Sequence, residues 1–348
     1  MISLIAPSYN NLEHLRNLYT SVRKYEPNIE LILIDDASED ATWIYLNSIA
    51  LEDKNLIIYR ASKRQGHTIL YDKGISLANN EIVGILHADM MIGPDYVKNM
   101  VKHLKRGVVV CATRVEPPIH PPGNEKIIMN YGLDFDSWDP EGFEDFVIKS
   151  QKEYKDQSTS GIFAPWILYK EDFEAIGGHD PLFAPFGYED SDIFNRWILN
   201  GYKMIQSRDA FVYHLTCRGH RWNKGVGIEN NDYQEIMNRC QKSYLRKWGA
   251  WVQNDSNQHP IIPPVYKKSL IINNSNPTLE ESLEPWFNNG GDIEVTIDGA
   301  NFTQEDFNII SQLNAIVKDS GQIGEFKIGN VEIKINSMEE YQNDLIKV

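Results

Sequence analysis

EIVGILHADMM, residues 81–91, is the stretch on which the fold turns. Ile82 to His87 is almost wholly apolar and rich in β-branched residues, which suits a strand buried on both faces of a parallel sheet. The run ends in His87-Ala88-Asp89, so a carboxylate stands where a buried strand stops and the chain must turn. Ligands of open α/β sheets lie beyond the carboxyl ends of the strands, which makes Asp89 a candidate site residue.

Upstream, the same pattern repeats. Ile2 to Ala6 is an apolar run stopped by Pro7, and Leu12, Leu15, Leu18, Tyr19 and Val22 follow at helical spacing. Leu31 to Ile34 ends in Asp35-Asp36, and Ser38 is placed to cap a helix running to about Ile49. Asn55 to Tyr59 reads as a third strand, His67 to Ala78 as a third helix, and Pro94 as a first-turn proline of the next. The order is βαβαβαβ, and right-handed crossovers place all the strand C-termini on one edge. Pro7-Ser8-Tyr9, Asp35-Asp36 and His87-Ala88-Asp89 therefore meet there. Neither GxGxxG nor GxxxxGK[ST] occurs, so a dinucleotide fold and a P-loop are both unsupported. Asp35-Asp36 can accept hydrogen bonds from a base or ribose, Tyr9 can cover a base, and Asp89 can ligate a divalent cation holding a diphosphate. Acids at strand ends also serve simply as turn residues.

Composition narrows the class. The 348 residues, 42% hydrophobic and 24% charged, suit a globular protein of two domains, or of one with an appendage. A net charge of −15 argues against a broad nucleic-acid or acidic-membrane surface. Cys111, Cys217 and Cys240 are an odd number without a CxxC pair, which suits a reducing compartment. No apolar run approaches the ~18 residues of a membrane span, and ISLIAP follows Met1 at once, leaving no room for a signal peptide. A cytoplasmic location is expected.

In the second half, Val108 to Val115 reads as a strand, EPPIHPPGNE as a proline-rich loop, and Ser158 to Trp166 as a strand lining the site. Asp134 to Lys155, acidic and aromatic, reads as a solvated or mobile segment or as an acceptor lid. Gly177-Gly178 marks a turn, Phe183, Phe186 and Tyr188 offer aromatic surface, and Ile193, Trp197 and Ile198 give a helical face ending near Gly201. Glu189 and Asp190 stand at that helix's start, where acids are also favoured as caps. Phe211 to His214 is a short strand followed by LTCRGHRWNKG, and Tyr233 to Trp251 a basic, aromatic helix. From 260 onward there are 14 acids against 6 bases. Ser269–Ile272 and Ile293–Ile297 read as strands, Thr303–Asp306 and Ser337–Glu340 as helix-capping boxes, and Gly329-Asn330 as a hairpin turn.

ISLIAPSYNN, LILIDDAS, KRQGHTILYDKGISLANNEIVGILHADM and GGHDPLFAPFGYEDSD resemble glycosyltransferase family 2 over about residues 1–215. The TCRGHRW loop and YLRKWGAW are similar to members of that family from phages and large viruses, for which the location would be the host cytoplasm. The resemblance implies a GT-A fold with a mostly parallel central sheet, a nucleotide-diphosphate sugar donor, Mn²⁺ or Mg²⁺, and inversion at the anomeric centre. It implies that Pro7 and Tyr9 border the nucleotide, Asp36 meets the base, Arg64 lies near base or diphosphate, and Asp89 binds the metal with His214. The family's usual Asp-x-Asp reads His87-Ala88-Asp89 here, so His87 and Ala88 would face the ribose or sugar. In the acidic pair Asp190 would be the general base, with Glu189 in support. Arg218, Arg221 and Lys224 would neutralise the departing diphosphate, or form a solvated basic loop.

The expected architecture is a GT-A domain over 1–253, a nucleotide-binding half 1–115 and an acceptor half 116–253, then a linker 254–265 and a small acidic α/β domain 266–348. The expected activity is metal-dependent inverting glycosyl transfer from a UDP-sugar, or a GDP-sugar, to a hydroxyl on a glycan, protein or modified nucleobase. A nucleotidyltransferase and an inactive nucleotide-sugar or glycan-binding module are the alternatives.

Overall fold

The computed structural model describes residues 1–222, 226–248 and 250–262, together with the backbone of four later strands. Two compact units divide the chain, one formed by Met1–Met237 with Asn254–Pro260, the other by Asn238–Gln253 with Ile261–Lys347.

The first unit begins β1 (Ile2–Ser8), α1 (Leu12–Tyr25), β2 (Glu30–Asp35), α2 (Thr42–Ala50), β3 (Leu56–Arg60), α3 (His67–Leu77) and β4 (Ile82–Ile85). These are the predicted alternating elements. It continues with β5 (Met90–Ile92), α4 (Tyr96–Val101), β6 (Val108–Glu116), β7 (Lys126–Ile128), α5 (Pro140–Glu153), β8 (Ser158–Thr159) and β9 (Trp166–Tyr169). Then come α6 (Lys170–Ala175), α7 (Glu189–Leu199), β10 (Lys203–His214) and α8 (Tyr233–Trp248), which runs on into the second unit.

The central sheet has the order β3-β2-β1-β4-β9-β6-β10-β5, with β7 beside β6 and β8 beside β10. Its first four strands are parallel, in registers such as Ile5↔Ile32 and Ile5↔Ile85. Beyond them β9 runs antiparallel between β4 and β6, and β5 antiparallel on β10. The fold is thus α/β with a mostly parallel sheet, as expected. Alternation along the strands explains its two-sided burial. Leu4, Ala6, Leu31 and Leu33 face Leu15, Leu18 and Val22 of α1, while Ile5, Ile32 and Ile34 share the opposite core with Leu70, Tyr71 and Ile75 of α3.

Several local expectations are corrected. β1 continues through Pro7, which takes register with Ile34. Helix α2 starts at Thr42 rather than after Ser38, because Ser38 is used in the turn beyond β2: its N–H donates to Asp35 Oδ1 at 3.0 Å and its hydroxyl accepts from Asn10 N–H at 2.9 Å. The acidic stretch from Asp134 is neither solvated nor mobile throughout, since α5 buries Phe143 and Val147 against Phe211 and Tyr213. Ser158 to Trp166 is two short strands with an irregular bridge, and the strand ending at His214 is 12 residues long, with a register shift between Gln206 and Phe211. Phe183 and Phe186 are buried rather than surface aromatics.

The second unit's described strands are β11 (Lys268–Ile272), β12 (Gly291–Val295), β13 (Gly324–Ile328) and β14 (Val331–Ile335), in the order β12-β11-β14-β13. Ile328 pairs with Val331, the register the expected hairpin requires. Residues 329 and 330, and the capping boxes at Thr303–Asp306 and Ser337–Glu340, lie outside the described residues. Among the described residues no helix is long and apolar enough to cross a membrane.

Gly74 lets α3 sit close on β1, for a Cβ there would overlap Ile5 Cγ2 and lie 3.0 Å from Ile34 Cδ1. Alanine is the better helix former by roughly 1 kcal/mol, but overpacking a rigid core costs about 1–3 kcal/mol. Gly74→Ala is therefore expected to destabilise the protein, read as a lower midpoint in urea denaturation.

Candidate active site

The strand ends converge as the topology requires. A cavity of about 390 Å³ is lined by Pro7, Tyr9, Asp36, Arg64, His87, Ala88, Asp89, Glu189, Asp190, His214 and Arg218, residues drawn from both halves of the first unit. Arg221 is not among its lining residues, and Lys224 lies outside the described residues.

At one end, Asp36 is almost fully buried and accepts from the amides of Gln65 at 2.6 Å and Gly66 at 2.8 Å. Burial outweighs these bonds and raises its pKa. The Arg64 guanidinium lies 4.4 Å from the centre of the Tyr9 ring and donates to Asp232 at 2.8 Å. Gly66 has φ +87° at a point where a Cβ would overlap the backbone of Pro185, so glycine alone allows this approach of chain to chain.

At the centre, β4 stops at Ile85 and frees His87-Ala88-Asp89 as a turn. Asp89, 2% exposed, accepts from the Arg218 N–H at 3.1 Å and lies 3.5 Å from His214 Nε2. Burial opposes its charge, yet His214 holds its carboxyl well below the usual range. His87 Nδ1 is 3.4 Å from His214 Nε2, and one ligand atom from each of His87, Asp89 and His214 lies within 4.8 Å of the others. Burial, then His214, holds His87 well below the ordinary histidine range. For His214 burial is overcome by Asp89 and Glu116, which raise it to about 9.

Behind His214 stands a charge network that sequence reading missed. Glu116, at the end of β6, lies 3.2 Å from His214 Nδ1, 2.7 Å from Arg114 and 2.9 Å from Lys126. Arg114 also lies 4.1 Å from the centre of the Phe163 ring. An outer carboxylate on a histidine's second nitrogen fixes the ring's orientation. The acid closing the apolar strand Val108–Val115 was the available signal.

The acidic pair opens α7. Glu189 is clamped on both oxygens: Oε1 accepts from His67 Nε2 at 2.7 Å, and Oε2 from the Gly187 N–H. Burial would raise its pKa, but His67 lowers it. Asp190 makes no such bond or ion pair among the described residues. Burial and then the Glu189 charge push it up, and the two neighbouring acids are driven apart.

The basic loop is divided. The Arg218 guanidinium donates to the carbonyls of Thr216 and Leu133 and lies 3.6 Å from Asp134, its side chain buried. Arg221 is paired with Glu229 at 2.5 Å. The cations lining the cavity besides Arg218 are Arg64, Arg114 and Lys126.

Comparison with known proteins places the chain among glycosyltransferases. Residues 3–174 match the model of Glycosyl transferase family 2, and residues 146–218 that of the N-terminal domain of galactosyltransferase. An uncharacterized protein of Sinorhizobium fredii is 22% identical over 78% of this chain and 29% of its own length. The dolichol-phosphate mannosyltransferase of Pyrococcus furiosus is 25% identical over 30% of each chain. The undecaprenyl-phosphate 4-deoxy-4-formamido-L-arabinose transferase of Proteus mirabilis is 30% identical over 32% of this chain and 36% of its own. This chain thus spans about a third of the length of these relatives. Among solved structures, a Pyrobaculum calidifontis mannosyltransferase with GDP-Man and Mn²⁺ aligns at TM-score 0.46 and 19% identity, over 70% of this chain and 61% of that one.

Arg114 and Glu116 are both buried, and removing Arg114 would leave Glu116 to Lys126 and His214 and take a partner from Glu125. Leaving a buried charge wholly unpaired costs about 3–5 kcal/mol, and Arg114→Ala is expected to lose less than that, read as a lower midpoint in urea denaturation.

Proposed function

This chain belongs to glycosyltransferase family 2, and from that premise we propose that it is a metal-dependent, inverting enzyme using a nucleoside-diphosphate sugar, with Asp190 as general base. The observation that carries the proposal is Asp190 itself: a carboxylate raised in pKa and free of protein partners among the described residues, in the same cavity as His87, Asp89 and His214.

Asp190 takes the proton from an acceptor hydroxyl as its oxygen attacks the anomeric carbon, and the bond from that carbon to the diphosphate breaks. Glu189, engaged on both oxygens, is not free to act as a nucleophile, which suits a single displacement and hence inversion. A base at this point favours a hydroxyl acceptor over one that attacks through an already ionised oxygen. Pro7, Tyr9, Asp36 and Arg64 would hold the nucleotide at the parallel half of the sheet.

The donor set of two imidazole nitrogens and a carboxylate fits a first-row ion such as Mn²⁺ better than Mg²⁺, which prefers oxygen. His87, Asp89 and His214 would hold it, and when bound it would supply Lewis-acid stabilisation of the leaving diphosphate. As a donor in this set, His87 gives no motive for reading the chain as an inactive module.

Asp190→Asn is expected to lower turnover about 10²- to 10⁴-fold while leaving nucleotide affinity in place; undiminished turnover would remove the proposed base. Because Asp190 must be ionised to act and its pKa is raised, kcat/KM should climb with pH through a limb above the ordinary carboxylate range. Glu189→Gln, which removes the neighbouring charge, should shift that limb to lower pH in the measured profile.

Calorimetric titration with UDP, GDP, CDP and dTDP, each with Mn²⁺ and with chelator, tests the donor site. One nucleotide is expected to bind in a Mn²⁺-dependent manner, and Asp89→Ala to abolish that dependence. Equal binding with chelator would overturn the metal assignment.

A further inference from the structure

The residues from Arg64 to Thr68 touch both ends of the cavity. Arg64 covers Tyr9, and the Gln65 and Gly66 amides hold Asp36 at the nucleotide end. His67 holds Glu189, and Thr68 bonds the Pro185 carbonyl through its hydroxyl at 3.3 Å, just before the acidic pair. Gly66 is pressed against Pro185 with no room for a side chain. One turn of chain is thereby fastened to the nucleotide side and to the segment that presents the acids.

Within this turn the His67–Glu189 bond has a defined direction. An ionised carboxylate only accepts, so His67 Nε2 carries the hydrogen and donates at 2.7 Å. Glu189 Oε2 accepts from the Gly187 amide, so both oxygens are engaged by partners other than Asp190. Neighbouring carboxylates not held apart share a proton or compete for the same space. His67 also lies within an aromatic group, its ring centroid 6.1 Å from that of Phe186 and 6.2 Å from that of His220, which limits its own movement.

We propose that His67 is a positioning residue for the transfer reaction: by donating to Glu189 it keeps that carboxylate out of the acceptor's place and leaves Asp190 as the one acid presented to the acceptor hydroxyl. The proposal rests on the assignment of Asp190 as the base. It adds a role to a residue that is neither the proposed base nor one of the proposed metal ligands, and it makes the Arg64–Thr68 turn the physical link between donor site and base.

The test measures release of UDP or GDP from UDP-N-acetylglucosamine and GDP-mannose, with water as acceptor, for wild type, His67→Ala, His67→Gln and Glu189→Gln, singly and combined. Misplacement of a reacting group by ~1 Å costs about 10²-fold, so His67→Ala should lower kcat roughly 10- to 100-fold, with donor KM within about twofold of wild type. The glutamine amide of His67→Gln can donate from nearly the same place and should recover most of the loss. Glu189→Gln combined with His67→Ala should lose no more than the worse single variant, since the two act as one unit.

Unchanged kcat in His67→Ala overturns the proposal, as does an equal loss in His67→Ala and His67→Gln, which would mark a packing role. Failure of the base assignment is separate, because it appears as undiminished release in Asp190→Asn whatever His67 does. If neither donor is turned over, the crystal structure of His67→Ala decides. A Glu189 carboxylate turned into the cavity supports the proposal, and one still seated on the Gly187 amide overturns it.

Discussion

Asp89 is a charge almost wholly withdrawn from water, and much of the chain after it bears on that fact. A carboxylate 2% exposed would ordinarily take up a proton. It stays ionised because β10 delivers His214 beside it and the following turn delivers the Arg218 amide. That turn puts Thr216 at φ 66° and Cys217 at φ 59°, a left-handed conformation that side chains resist. His214 is in turn oriented by Glu116, and Glu116 by Arg114 and Lys126. Four strands, β4, β6, β7 and β10, thus contribute to one buried acid. The order of the sheet, with β6 beside β10 and β7 beside β6, brings those strand ends together.

The acidic pair shows the same physics turned the other way. Glu189 and Asp190 are adjacent in sequence and similar in chemistry, yet their surroundings separate them: one is held by an imidazole and an amide, the other is left facing the cavity. Desolvation acts on both, and the difference lies in the compensation each receives. Pairs of titratable groups driven apart by environment are how a protein distinguishes a structural acid from one that exchanges protons. Here the imidazole that holds Glu189 is that of His67, which lies 122 residues before it in the chain.

How much of this was legible in the sequence follows from the range of each force. The parallel half of the sheet was, because the apolar runs ending in Asp35-Asp36 and His87-Ala88-Asp89 carry both the strand period and the place where it stops. The meeting of Pro7, Tyr9, Asp36 and Asp89 in the cavity was, because right-handed crossovers leave the C-termini of parallel strands nowhere else to go. The use of Ser38 was not: its choice between helix capping and the β2 turn depends on Asn10, which reaches it from another loop. Nor was the commitment of Arg218 to backbone carbonyls, which a sequence cannot separate from a free phosphate-binding cation. Long-range partners such as Glu116–His214 and His67–Glu189 stayed hidden because no local pattern encodes a contact across a hundred residues.

The replacement of the first acid of the Asp-x-Asp pattern by His87 has a consistent logic in this setting. An acid at position 87 would bring a second buried carboxylate close to Asp89, and like charges so placed raise each other's pKa. A histidine, held neutral by burial and by His214, adds a donor atom without adding charge. The one negative charge of the three-residue cluster is then that of Asp89, balanced within the cluster by His214. Substituting the acid therefore changes the character of the cluster from oxygen-rich to nitrogen-rich while keeping its donor atoms within 4.8 Å of one another. The shift is a change in which ion the cluster suits, and the charge that compensates Asp89 comes from His214, itself supported by Glu116 with Arg114 and Lys126 behind it, none of which belongs to the motif.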